Sequence, residues 1–206
     1  FAEIWGDTNF PMIGTYPLSH KIHKPHALDF VRYANMLQGN YAESSAAADR
    51  NAGGMLPGDR RGDKTIAHDW VMDKVFGKWD KIHAENAENS EYANSPYLKG
   101  MWAYVMGSAH IAKGHLGPAE AQIAVIREQM TAEGINDSGV GPTPADHVLG
   151  LAMHALLGEL EEAKGNLDGA ILHYGHAVEF QDNLNYTEPP DWSQSTRLYL
   201  GSALLE

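Results

Sequence analysis

The sequence predicts an all-α protein, a right-handed superhelix of helical hairpins. Three observations predict it. A short pattern recurs four times: glycine, any residue, a bulky residue, then a small or apolar residue three positions further on. Each copy follows one apolar-periodic stretch and precedes another, as a turn between two amphipathic helices would. Hydrophobic residues make up 43% of the 206, enough to bury the shared face of such helices.

The pattern reads Gly39-Asn40-Tyr41 to Ser44, Gly77-Lys78-Trp79 to Ile82, Gly114-His115-Leu116 to Ala119, and Gly165-Asn166-Leu167 to Ala170. Glycine ends a helix by adopting a left-handed conformation at little cost. The bulky residue packs back over the turn, and the small one lets the second helix approach the first. Repetition of such a module is the mark of a stacked array.

Taken in order, residues 1–24 lack helical periodicity and read as an irregular arm. Phe1, Ile4, Trp5, Phe10, Met12, Ile13 and Tyr16 make it too apolar for a free tail. Residues 25–206 read as the solenoid. Its first hairpin covers about 26–52, with helices 26–38 and 41–52. Gly53-Gly54, Pro57-Gly58 and Arg61-Gly62-Asp63 mark a loop. The second hairpin covers about 64–87, and a polar linker follows at 88–94. The third covers about 95–133. Residues 134–144, with Gly139, Gly141, Pro142 and Pro144, break the pattern, and Thr143 is expected to cap the next helix with Pro144 at its first position. The fourth hairpin covers about 144–183. Glu188-Pro189-Pro190 ends it, and a last helix is expected over about 191–206.

Arg32 and Trp70 stand where a small residue is expected, and Asn51 and Ile82 where alanine is. The first two hairpins are therefore expected to be looser than the third and fourth. The chain opens on Phe1 rather than Met, so it is expected to begin inside a longer precursor or after a cleavage. The hairpin glycine after Gly201 would fall two residues beyond Glu206. The native chain is expected to continue there, or the last helix to act as a polar cap.

The most regular unit, Leu151 to Val178, carries Leu157-Gly158, Gly165, Leu167, Ala170, Tyr174 and Ala177; Gly107, Gly114, Leu116 and Ala119 fall in the same frame. On these residues the chain resembles tetratricopeptide repeat proteins. Further stretches are similar to the C-terminal part of a poorly characterised bacterial family of that type: Pro25-His26-Ala27-Leu28-Asp29-Phe30 with Met36-Leu37-Gln38-Gly39, Phe76-Gly77-Lys78-Trp79-Asp80, Ser95-Pro96-Tyr97-Leu98, and Glu188-Pro189-Pro190-Asp191-Trp192. That family usually carries two histidines three apart in the first stretch; here the second is Asp29.

The resemblance implies that the first helix of each pair lines an inner groove. Carried over by frame, the groove residues are His26, Asp29, Tyr33 and Met36; Lys64, Ala67, Val71 and Lys74; Met101, Tyr104, Ser108 and Ile111; and Ala152, Ala155, Glu159 and Glu162. Aromatic, small and charged groups together suit a protein or peptide partner. Ordinary packing between repeats is the competing reading of the same residues.

Composition narrows the functions. There are 27 acidic against 15 basic residues, a formal net charge of −12. A phosphate-binding face needs clustered bases, and Asp59-Arg60-Arg61-Gly62-Asp63-Lys64 neutralises itself, so no nucleic-acid partner is expected. No apolar run is long enough for membrane insertion. The absence of cysteine excludes disulfides and thiolate metal sites. No nucleophile elbow, phosphate loop or dinucleotide fingerprint occurs. The chain reads as a non-catalytic scaffold without a cofactor, and its acidity favours a basic or neutral partner.

Two alternatives stay open. Eleven histidines are many for this length. His20, His23 and His26 are spaced for a copper or zinc site on a helix, although Pro25 interrupts it; they also read as loop and cap histidines. His147 and His154 share one helix face and His173 and His176 the next, either as a cluster of imidazoles or as half-buried structural residues. Glu159, Glu161, Glu162 and Glu179 read as a solvated face. A histidine-based metal protein or metalloenzyme fragment is thus one alternative. A structural subunit that self-associates through open solenoid ends is the other.

Overall fold

In a computed structural model, residues 24–52, 60–85, 94–137 and 141–206 are described, and among them every regular element is an α-helix. They belong to two compact units, one within Phe1–Leu56 and the other within Pro57–Glu206. Most of the arm at 1–24, the glycines at 53, 54 and 58, and most of the linker at 88–94 lie outside the described residues.

The first unit contains α1 (Lys24–Leu37) and α2 (Tyr41–Ala52), packed against each other. Ser44 donates its hydroxyl to the carbonyl of Arg32 at 2.8 Å, which brings the two backbones together. Arg32, at a position expected to be small, is buried. It lies on its own helix beside Asp29, with Nη2 2.7 Å from the carboxylate. Asn51 reaches back to the carbonyl of Pro25 at 3.2 Å, closing the pair at its open end.

The second unit contains α3 (Arg60–Val75), α4 (Trp79–Ala84), α5 (Pro96–Ala112), α6 (Leu116–Gln129), α7 (Ala145–Ala163), α8 (Leu167–Asp182) and α9 (Thr196–Leu205). Each helix packs on its successor in the pairs α3/α4, α4/α5, α5/α6, α6/α7, α7/α8 and α8/α9, and α5 also contacts α3 and α7.

The four glycine turns share one hydrogen-bonding scheme. Gly39, Gly77, Gly114 and Gly165 have φ between 63° and 77°. At Gly165 the glycine N–H donates to Glu162 at 2.9 Å and the next N–H to Glu161 at 2.9 Å; the equivalent two bonds form at Gly39, Gly77 and Gly114. This double closure satisfies helix-end carbonyls that would otherwise be orphaned. The bulky residue two positions on, Tyr41, Trp79, Leu116 or Leu167, is then the first residue of the next helix.

Small residues set the spacing in the core. A Cβ at Gly100 would come within 2.6 Å of the Leu149 side chain, and one at Gly107 within 2.5 Å of Leu156. Leu149 and Leu156 lie seven apart on α7, so α5 and α7 lock together along one seam. Trp70 is 4% exposed, edge-on to Trp102 at 5.0 Å, and donates its indole N–H to Glu85.

Three local expectations differ from the structure. Arg61-Gly62-Asp63 belongs to the first turn of α3, not to a loop. Asp63 is favoured at a helix N-terminus and also accepts the hydroxyl of Ser95 at 2.6 Å. Thr143 does not cap α7: its hydroxyl donates instead to the buried carboxylate of Asp191 at 2.6 Å, and Pro144 precedes the first helical residue. An ionised acceptor outcompetes the backbone for that hydroxyl. Finally, α9 starts at Thr196, because the residues before it are committed elsewhere.

Candidate functional site

The segment between α8 and α9 is held by side chains of α3 and α5 and by Thr143 just before α7. Asp191, 2% exposed, sits at its centre. Its carboxylate is 2.7 Å from Lys64 Nζ and accepts the hydroxyls of Thr143 and Thr187. Lys64 also donates to the carbonyl of Pro189 at 2.9 Å, and Nε2 of His68 lies 3.3 Å from the carbonyl of Asp191. The buried Trp192 ring packs 5.3 Å from that of Tyr104. The Lys64 end of α3 is therefore covered by the protein's own chain.

At the other end a cavity of about 440 Å³ opens, walled by Lys74, Val75, Trp79, Ser108, Ile111, Ala112, Glu159, Glu162, Ala163, Gln194 and Tyr199. Its walls come from α3, the start of α4, α5, α7 and the α9 region. Lys74 is the charged centre. It is 6% exposed, its Nζ is 2.8 Å from Glu159, and it lies over the rings of Tyr104 at 5.1 Å and Tyr199 at 5.4 Å. Burial pulls the ammonium pKa down, but Glu159 and the two phenols outweigh burial and hold it well above its usual value. Lys74 is thus a fixed cation, not a proton donor or a nucleophile at neutral pH. The phenols of Tyr104 and Tyr199 are pushed up, chiefly by burial, and stay protonated.

The wall has a second carboxylate. Glu162 is exposed and accepts the hydroxyl of Tyr174 at 2.6 Å. With Lys74 matched to Glu159, the cavity carries one excess negative charge beside the aromatic side chains of Trp79 and Tyr199. Tyr199 is itself oriented by a hydrogen bond to Gln194. That combination suits a cation on a flexible apolar stem.

Of the residues assigned to a groove from sequence, Lys74, Ser108, Ile111, Glu159 and Glu162 line this cavity, and Tyr104 supports Lys74. Lys64 is paired with Asp191. Ala67, Val71, Met101, Ala152 and Ala155 are buried in the core. In the first unit, Met36 is buried, Tyr33 half-buried, Asp29 held by Arg32, and His26 exposed with its ring 4.9 Å from that of Phe30. His20 and His23 lie outside the described residues. Trp79, Gln194 and Tyr199 were not singled out as lining residues. Trp79 carried a signal as the bulky residue after Gly77, whereas Gln194 and Tyr199 enter only because α9 folds back.

A second polar cluster lies between α7 and α8. His154 Nδ1 is 3.2 Å from His173 Nδ1, and the rings of His154 and His176 are 5.0 Å apart. His147 stands one turn pair away with Nε2 3.1 Å from the carbonyl of Phe180. His154 is pushed down to about 4, by burial first and then by the neighbouring imidazoles of His173 and His176. His173 is lowered as well, mainly by burial. Among the described residues, no group of three or more histidine, aspartate or glutamate side chains is placed so that it could hold a metal ion, and no helix is long and apolar enough to cross a membrane.

No family model matches the chain, and neither do curated proteins or solved structures.

Proposed function

We propose that this chain is a non-catalytic scaffold of the tetratricopeptide type that holds an extended protein or peptide segment, with one Lys or Arg side chain of the partner inserted beside Lys74. One observation carries the reading: an open cavity of about 440 Å³ in which the resident cation is already neutralised by Glu159 while Glu162 is left facing it. The helix pairing supports the stacked-hairpin part of the proposal, as do four turns built to one scheme.

The chemistry of the walls argues against a reaction. Lys74 is locked as an ammonium and the adjacent phenols as neutral hydroxyls. General acid–base work needs groups that titrate near the working pH. Recognition needs fixed charge, aromatic faces and a rigid wall, and these are present.

The test is binding of labelled extended peptides by fluorescence anisotropy at low and high salt. Peptides with a central Lys or Arg should bind, peptides with Glu at that position should not, and salt should weaken the complex. Glu162→Gln should weaken binding about tenfold, the loss of one charge-assisted contact. Ala163→Phe, at an exposed wall position, should block the cavity without touching the core. Equal affinity of the Lys and Glu peptides, or full binding by Ala163→Phe, would sink the proposal.

A further inference from the structure

We infer that His154 and His173 form the anchor of a binding site for a borderline divalent cation of the zinc class, with His176 as the third ligand. The inference is independent of the cavity at Lys74.

The separation of the two Nδ1 atoms is the starting point. Two imidazole nitrogens held about 2.0–2.1 Å from one tetrahedral zinc ion lie roughly 3.3 Å apart. Here they are 3.2 Å apart, on neighbouring helices α7 and α8. The separation is close to the one a shared ion would impose. Without a metal, one Nδ1–H must donate to the other Nδ1, so both rings aim at each other. A modest rotation of each ring about its Cβ–Cγ bond turns the two lone pairs to a common point. The metal then replaces the shared proton, which leaves to solvent.

His176 completes the set from one turn along α8. Its ring is 5.0 Å from that of His154, and its Nδ1 lies 3.2 Å from Glu179 at the surface. The side chain of His176 is 42% exposed, and that of Glu179 75%, so the contact between them is cheap to exchange for a metal bond. Binding therefore requires His176 to turn from Glu179 toward the ion, because the three rings as they stand do not form a three-ligand group. Phe180, stacked 5.7 Å from His154, walls the other side and limits the pose of its ring.

The half-buried rings leave a path from solvent.

The experiment is calorimetric titration of the metal-stripped full chain with Zn²⁺ at neutral pH, repeated on His154→Gln, His173→Gln and His83→Gln, with circular dichroism to check each fold. The unchanged chain should bind one equivalent. His154→Gln and His173→Gln should each weaken that equivalent at least about tenfold, a change of ~1.4 kcal/mol. His83→Gln, in the separate ring pair with His110, should leave it unchanged. If His154→Gln loses its fold, His173→Gln decides the matter. Absence of a saturable equivalent overturns the inference. So does affinity that survives in the folded His173→Gln chain or that falls with His83→Gln.

Discussion

Gly158 on α7 lies directly beneath the ring of Tyr174 on α8: a Cβ at Gly158 would fall inside contact distance of ring atoms Cε1 and Cδ1. Tyr174 is 1% exposed, and its hydroxyl is fixed by Glu162. The ring has no room to retreat.

Gly158→Ala should therefore destabilise the second unit by about 1–3 kcal/mol, the range for overpacking a tight core. The usual gain in helix propensity from Gly to Ala, about 1 kcal/mol, acts the other way and is outweighed. Urea denaturation of the two chains measures the difference. An alanine chain as stable as the parent would show that the ring moves freely.

Lys74→Met should cost about 3–5 kcal/mol, because it strands the carboxylate of Glu159 in a half-buried wall. Adding Glu159→Leu should return much of the loss, since an apolar pair of similar volume removes both charges together. The double-mutant cycle is the measurement. A double variant no better than the single would mean that Lys74 matters through the rings of Tyr104 and Tyr199 rather than through Glu159.

Acid should weaken the fold through His154, beginning above the range in which ordinary carboxylates titrate. Its value is about 4 in the folded chain against 6.5 for an ordinary imidazole. Above 6.5 the ring is neutral whether folded or unfolded, and contributes no slope. As pH falls from there to about 4, the unfolded chain takes up a proton that the folded chain refuses, so stability drops; lower still, both are charged and the slope ends. The ring is half-exposed, so after screening the loss is on the order of 1 kcal/mol. The stability difference between the parent and His154→Gln, followed from neutral pH to pH about 4, isolates it. A difference that stays flat would contradict the assignment.

Much of the helical layout was legible because its signals are local. Gly39, Gly77, Gly114 and Gly165 each announce a turn through conformational demand alone, and each turn forms with the same two hydrogen bonds. Gly107 and Gly158 were legible only as members of the repeat frame, and the structure shows each where a Cβ would meet a neighbouring side chain. What escaped was set by partners far along the chain. Thr143 looks like a helix cap until Asp191 is present to take its hydroxyl. Lys64 looks like a groove residue until Asp191 pairs with it. Arg32 violates a small position, and only the carboxylate of Asp29 shows how it is accommodated. The walls at Gln194 and Tyr199 depend on where the last helix lies, which no local pattern encodes.

The anchoring of Asp191 to Lys64 also bears on how the second unit comes apart. A row of modules joined only to nearest neighbours can fray from either end. Here the segment before the last helix is fastened to the first helix of the unit, through Lys64, His68 and Pro189, so that first helix cannot leave without releasing the segment. The amides of α3 and those around Asp191, more than a hundred residues apart, should then lose protection together.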